Sequence, residues 1–219
     1  MIATQTIAII GAAGNMGSAI AKSLAKGNYN LLLQASHVQK AQGVLNEIKK
    51  ANPDISAEVI NCSFEASWEA DIIILAVPYQ AEQVVAEKIR EVANQKIVIS
   101  VSNPLNSTYN GLLTNELSAA EELQDLLPNA KVVKAFNTTF KADFEKPFIK
   151  DTQVDAFIAG DNKEAVATVK ELIETVGFRA VNAGGLSVSR TLERMQLLLI
   201  QLSVANNYNW HAGWKVLHN

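Results

Sequence analysis

The sequence predicts an α/β fold, a doubly wound and mostly parallel sheet with a short α/β carboxy-terminal extension ending in a long buried helix. Three observations carry that reading. Short aliphatic runs alternate with longer segments of helical period along the 219-residue chain. A glycine-rich turn, Gly11-Ala12-Ala13-Gly14-Asn15-Met16-Gly17, separates the first such run from the first helical segment. After residue 150 the strand–helix rhythm restarts, so 1–150 is expected to form one domain, with 151–219 an extension packed on it. With 48% hydrophobic and 19% charged residues, the chain can bury a full core.

Each element follows from its own residues. TIAII at Thr6–Ile10 is a buried strand, and a helix follows the glycines through residue 25. A second strand is expected at 31–33, a helix at 38–49 and a brief third strand at 58–61. The run DIIILAV at 71–77 is the clearest buried strand, stopped by Pro78, which has no N–H for a ladder. A helix is expected at 81–93, the strand KIVISV at 96–101, and a loop at 103–114. A helix over 116–127 is halted by Pro128, and a strand follows at 131–136. Beyond a polar segment at 141–152 come a strand at 156–159, a helix over Lys163–Val176, a strand at 179–182 and the last helix at 189–207. Such alternation implies right-handed crossovers.

The glycine spacing makes the sheet Rossmann-type and the first domain dinucleotide-binding. Gly11, Gly14 and Gly17 stand between the first strand and the first helix. There one glycine permits the tight turn, another lets backbone N–H groups approach a pyrophosphate, and the third lets helix and strand pack closely. The pattern is GxxGxxG, with Ala13 where the commonest form has its second glycine. The end of the second strand selects the cofactor. A reader of NAD places a carboxylate there for the ribose diol. This chain has none before Glu47, and offers Gln34-Ala35-Ser36-His37 and then Lys40. Ser36, His37 and Lys40 suit a 2′-phosphate, so NADP(H) is expected over NAD.

Other chemistries are excluded. Net charge is -3, with 19 basic against 22 acidic residues, so no basic field invites nucleic acid. The uncharged stretch at 195–210 is too short and polar for a membrane span. Cys62 is the only cysteine, which rules out an internal disulfide framework and suits a reducing compartment. The opening MIATQTIAII lacks the cationic start of a signal peptide, so a cytoplasmic protein is expected. No tyrosine has a lysine four residues on, no GxSxG elbow or Walker lysine occurs, and His37, His211 and His218 have no metal spacing with Cys62. We therefore expect no catalytic acid or base and no metal.

Four segments, GAAGNMG, AVP at 76–78, VVKAFNT at 132–138 and AGGLSVSRTLE at 183–193, resemble the NADP-dependent reductases of the coenzyme F-420 (deazaflavin) type. The NADPH-binding domains of six-transmembrane ferric reductases are similar. The resemblance runs from about residue 6 to about residue 217. It implies a dimeric enzyme that passes hydride between NADP(H) and a small-molecule acceptor, a deazaflavin or a flavin such as FMN or FAD. It implies that Ala13, Gly14, Asn15 and Met16 cradle the pyrophosphate and that Ser36 and Lys40 hold the 2′-phosphate. Val77 and Pro78 would flank the adenosine–ribose path, and Asn103 and the Phe136-Asn137-Thr138 strand end would border the nicotinamide and acceptor cleft. Residue 36 is commonly Arg in that family, and the position of Arg194 is often Pro. The carboxyl ends of parallel strands are where such sheets bind ligands, in agreement with Asn103, Asn137 and Thr138.

Hydride transfer between flat rings needs stacking and orientation more than a protein acid. The alternatives are a flavin-mediated ferric-chelate reductase and a non-catalytic NADPH sensor or scaffold. In the last helix, Leu192, Met195, Leu198, Leu199 and Leu202 line one face and Leu197 and Ile200 a second. Such a helix is expected to be covered on both sides, in an isologous homodimer seam that also roofs the acceptor site. Arg190 and Glu193, spaced for one helix face, would touch the acceptor or pair with each other.

Overall fold

The computed structural model describes residues 4–114 and 116–218. An eight-stranded sheet holds the fold together. Its first six strands are β1 (Thr6–Ile10), β2 (Asn30–Gln34), β3 (Ala57–Val59), β4 (Ile72–Leu75), β5 (Ile97–Ser100) and β6 (Lys131–Lys134). All six run parallel, in the order β3-β2-β1-β4-β5-β6. A two-stranded hairpin of β7 (Phe148–Ile149) and β8 (Thr152–Gln153) then precedes β9 (Asp155–Gly160) and β10 (Arg179–Gly184). β9 joins the β6 edge antiparallel, with Val133 opposite Gly160, and β10 lies parallel to β9 outside it. The expected extension thus lengthens the same sheet.

Alternation along the strands fills two cores, one on each face. Ile7, Ile9, Leu31, Leu33, Ile72 and Ile74 belong to one; Ala8, Ile10, Leu32, Ile73 and Leu75 belong to the other. The crossovers are α1 (Asn15–Leu24), α2 (Val38–Ala51), α3 (Ser63–Glu69), α4 (Tyr79–Ile89) and α5 (Ala119–Leu126). α6 (Lys141–Glu145), α7 (Lys163–Val176) and α8 (Ser189–Asn206) complete the set.

Several boundaries differ from expectation, each for a local reason. The helix expected at 116 starts at Ala119. Ser118 caps it, accepting from the Glu121 N–H at 3.2 Å while the Glu121 carboxylate accepts from the Ser118 N–H at 2.9 Å. α4 starts at Tyr79 rather than 81 because Pro78 serves as its N-cap. α3, too short to show a period, was not expected, and the polar segment 141–152 contains α6 and the hairpin. α8 is covered along one face only, through Leu192, Glu193, Gln196, Leu199 and Ile200, while Leu198, Leu202 and Val204 are exposed. The chain then returns to the start of β9, where Trp214 forms an antiparallel bridge with Asp155. There the buried Asp155 carboxylate accepts from Arg179 at 2.5 Å, Lys215 at 3.1 Å and the Val216 N–H at 2.7 Å. Those cations hold Asp155 below the usual carboxylate range, against its burial.

Candidate functional site

Two cavities open at the carboxyl ends of the parallel strands and meet at the glycine turn. Gly11 has φ +90°, and its N–H and that of Ala12 donate to the Gln34 carbonyl, both at 2.9 Å, fixing the turn to the end of β2. A Cβ at Gly17 would stand 2.2 Å from the Gly11 oxygen, so only glycine lets α1 pack this closely on the turn. Gly14 is the N-cap of α1 and supplies no side chain, and no acidic residue occupies the first helical turn. The first-turn amides are therefore left for an external anion.

The first cavity, about 490 Å³, lies on the β2 side of the turn. Gly11, Ala13 and Gly14 form its floor, Ser36, His37 and Lys40 one wall, and Val77 and Pro78 the other. Eight of the expected residues come together here. Ser63 and Lys88, from α3 and α4, also line it and carried no sequence signal, being contributed by helix faces remote from the turn.

The second cavity, about 660 Å³, lies on the opposite side and is lined by Asn15, Met16, Asn103 and Asn137 among the expected residues. Asn103 and Asn137 clasp the ends of β5 and β6: the Asn103 amide donates to the Asn137 carbonyl at 3.0 Å, and the Asn137 amide to the Asn103 side-chain oxygen at 2.9 Å. Thr138 is fully buried and lines neither cavity, and Gly17 is a packing residue. Asn15 and Met16 stand apart from Ala13 and Gly14, so the four expected cradle residues divide between the cavities. Phe136, expected at this strand end, lines it too, and the other walls include Val101, Tyr109, Phe140, Gln196, Ile200 and Trp210 with the charged Lys141 and Glu145 of α6. Sequence reasoning missed most of these because they arrive from loops and helices far apart in the chain.

Behind the second cavity lies a buried ionic cluster. Lys134, at the end of β6, donates to the Glu193 carboxylate of α8 at 2.7 Å and to the Ser102 carbonyl at 2.6 Å, with both side chains fully buried. The Ala119 N–H donates to the same carboxylate at 3.0 Å. Burial pushes the Glu193 carboxyl up, and Lys134 opposes that shift. Burial also pushes Glu82 up to about 7, with Lys134 again opposing it. Arg190 pairs with Glu121, at 2.6 and 2.7 Å, so Arg190 and Glu193 do not pair with each other. Neither lines the second cavity. VVKAFNT and AGGLSVSRTLE, distant in sequence, are thus joined through Lys134 and Glu193. Among the described residues no His, Cys, Asp and Glu cluster could hold a metal ion. No described helix is long and apolar enough to cross a membrane.

The family model described as NADP oxidoreductase, coenzyme F420-dependent, matches residues 6–104. An F420-dependent NADP reductase of Methanocaldococcus jannaschii is 30% identical over 210 residues, covering 90% of this chain and 92% of the relative. The rat metalloreductase STEAP3 is 36% identical over 105 residues, 48% of this chain and 21% of that protein. A crystal structure from Arthrobacter sp. FB24, described as a candidate F420-dependent NADP reductase, superposes with a TM-score of 0.84 at 21% identity, covering 98% of this chain and all of that one.

Proposed function

The chain belongs to the F420-dependent NADP reductase family, and from that premise we propose that it transfers hydride between NADP(H) and a deazaflavin. One observation carries the reading: the glycine turn separates two cavities, with Ala13 and Gly14 facing one and Asn15 and Met16 the other. A dinucleotide whose pyrophosphate sits on the α1 amides extends its adenosine into the first cavity and its nicotinamide into the second. The chain's residues fit that ligand. The uncapped α1 terminus attracts the pyrophosphate, and Ser36, His37 and Lys40 can donate to a 2′-phosphate where no carboxylate repels it. Val101, Phe136 and Ile200 give the second cavity an apolar lining that keeps water from the reacting rings, while the clasped Asn103 and Asn137 fix its polar rim. When bound, the nicotinamide supplies the hydride and the protein supplies only placement.

We read residues 1–150 as the dinucleotide-binding part and 151–219 as the acceptor-side wall. The exposed Leu198 and Leu202, one helical turn apart, support a homodimer through α8, which light scattering tests. Leu199, buried against the chain's own Phe140 and Ile200, does not belong to that seam. The exposed free thiol of Cys62 suits the reducing cytoplasm. NADPH oxidation assayed with a 5-deazaflavin, FMN and a ferric chelate decides the activity. Fastest turnover on the deazaflavin is expected. Faster turnover on chelate plus flavin would favour a ferric reductase, and tight NADPH binding with no turnover would leave a sensor.

A further inference from the structure

Three aromatic residues that line the second cavity stand on left-handed backbone: Tyr109 at φ 53°, Phe136 at 61° and Trp210 at 57°. Bulky residues seldom occupy that region, and they persist there where the surroundings enforce it. Phe136 is wholly buried at the end of β6, so packing explains it. Trp210 has no such explanation. It follows α8 in a segment where Asn207 and Asn209 also have positive φ, and its side chain stays about half exposed at the cavity wall. The segment is nevertheless held. The Trp210 ring meets Phe140 edge to face, centroids 5.6 Å apart at 88°, and the next residue, His211, reaches the Lys146 carbonyl at 3.2 Å. Two rings at a right angle make an aromatic corner, in which a flat ligand can lie against one ring and meet the other edge-on.

We propose that Trp210 is the stacking platform for the hydride acceptor, which makes the segment after α8 the selector for large, planar, fused-ring acceptors. This rests on the hydride-transfer reading and adds to it the residue that recognises the ring. The acceptor lies between Trp210 and the side of the cavity formed by Met16 and Asn103, where the dinucleotide's reactive end arrives.

The chain has three tryptophans, so Trp68→Phe with Trp214→Phe leaves Trp210 as the sole indole reporter. Titrating that variant with 5-deazariboflavin, with correction for ligand absorption, should quench its fluorescence saturably. In the otherwise unaltered chain, Trp210→Leu should raise KM for the same acceptor about 3- to 10-fold, with kcat within about twofold and NADPH affinity unchanged. Trp210→Phe should recover most of the loss, and it serves as the test if the leucine variant fails to fold. No saturable quenching, or equal KM values in all three proteins, would overturn the proposal. Saturable quenching without reduction by NADPH would keep the platform and overturn the hydride-transfer reading. Reduction indifferent to residue 210 would do the opposite.

Discussion

The walls of the first cavity all lie between Ile10 and Lys88, whereas those of the second run from Asn15 to Trp210. The first is built where strands end side by side, and its lining combines backbone, a turn and an uncapped helix terminus, with the side chains of Ser36, His37 and Lys40. The second needs β6, α6, α8 and the chain beyond them to be assembled before it exists, and it is lined by rings and amides together with Lys141 and Glu145 of α6. Local recognition can change cofactor preference by single substitutions without disturbing the fold. Assembled recognition depends on whatever holds the distant pieces together, here the buried contact between Lys134 and Glu193.

The most severe test of that difference is Lys134→Met. It leaves the Glu193 carboxylate buried without its cation, at a cost on the order of 3–5 kcal/mol. Denaturation should show a correspondingly lower stability and acceptor turnover should fall, while NADPH affinity of the folded fraction, read by calorimetry, should change little. Lys134→Met with Glu193→Leu should restore part of the stability, since the Glu193 charge is removed with its cation, while the buried Ala119 N–H loses its acceptor and Glu82 loses its nearby cation. If NADPH affinity falls in step with turnover, the two cavities are not separable.

A smaller effect is expected from pH. Glu82, raised from 4.5 to about 7 by burial, keeps its proton in the folded state over a range where the unfolded chain has lost it. The folded state then binds more protons, so this group's contribution to stability is full below about pH 4.5, falls as pH rises toward 7, and is flat above. Glu82→Gln should remove that slope, stabilising the protein by on the order of 2–3 kcal/mol at pH 8 relative to pH 5 when compared with the parent chain. Urea midpoints across this range measure it, and parallel curves for the two proteins would show that Glu82 is ionised throughout.

The mildest test addresses the local cavity alone. Ser36→Asp should reverse the preference for NADPH over NADH, by roughly 10- to 100-fold overall, through repulsion of the 2′-phosphate and acceptance from the ribose diol. Lys40→Ala should weaken NADPH about tenfold and leave NADH nearly unchanged. Dissociation constants for both cofactors test both variants, and neither should alter thermal stability. Equal effects on the two cofactors would move the phosphate away from this wall.

The asymmetry also explains what could be read before folding. TIAII followed by three glycines at helical spacing specifies strand, turn and helix within a dozen residues, because the steric demands of Gly11 and Gly17 are local. The reversal of direction between β6 and β9 left no mark on the sequence, since strand residues alternate alike in either orientation. Lys134 sits in a run, VVKAF, that reads as an apolar strand with one intruding cation, and nothing within ten residues names its partner. Arg190 and Glu193 are spaced for each other, yet Glu121 and Lys134 compete successfully because both lie closer in the assembled fold. Tyr109, Phe140 and Trp210 were invisible for a related reason: an aromatic residue in a polar loop carries no period, and its role depends on which cavity the loop reaches.

The Lys134–Glu193 contact has a consequence for how such a chain can change over generations. The two codons lie 59 positions apart, yet the protein reads them as one character. A lineage that alters either alone passes through a form with a buried, unmatched charge, and selection against that intermediate closes the single-step routes to an apolar pair even where the end point is as stable. Drift at the acceptor side is then confined to residues such as Tyr109 and Trp210, which can vary one at a time. New acceptor preferences are therefore most accessible there, on a wall whose anchor stays fixed.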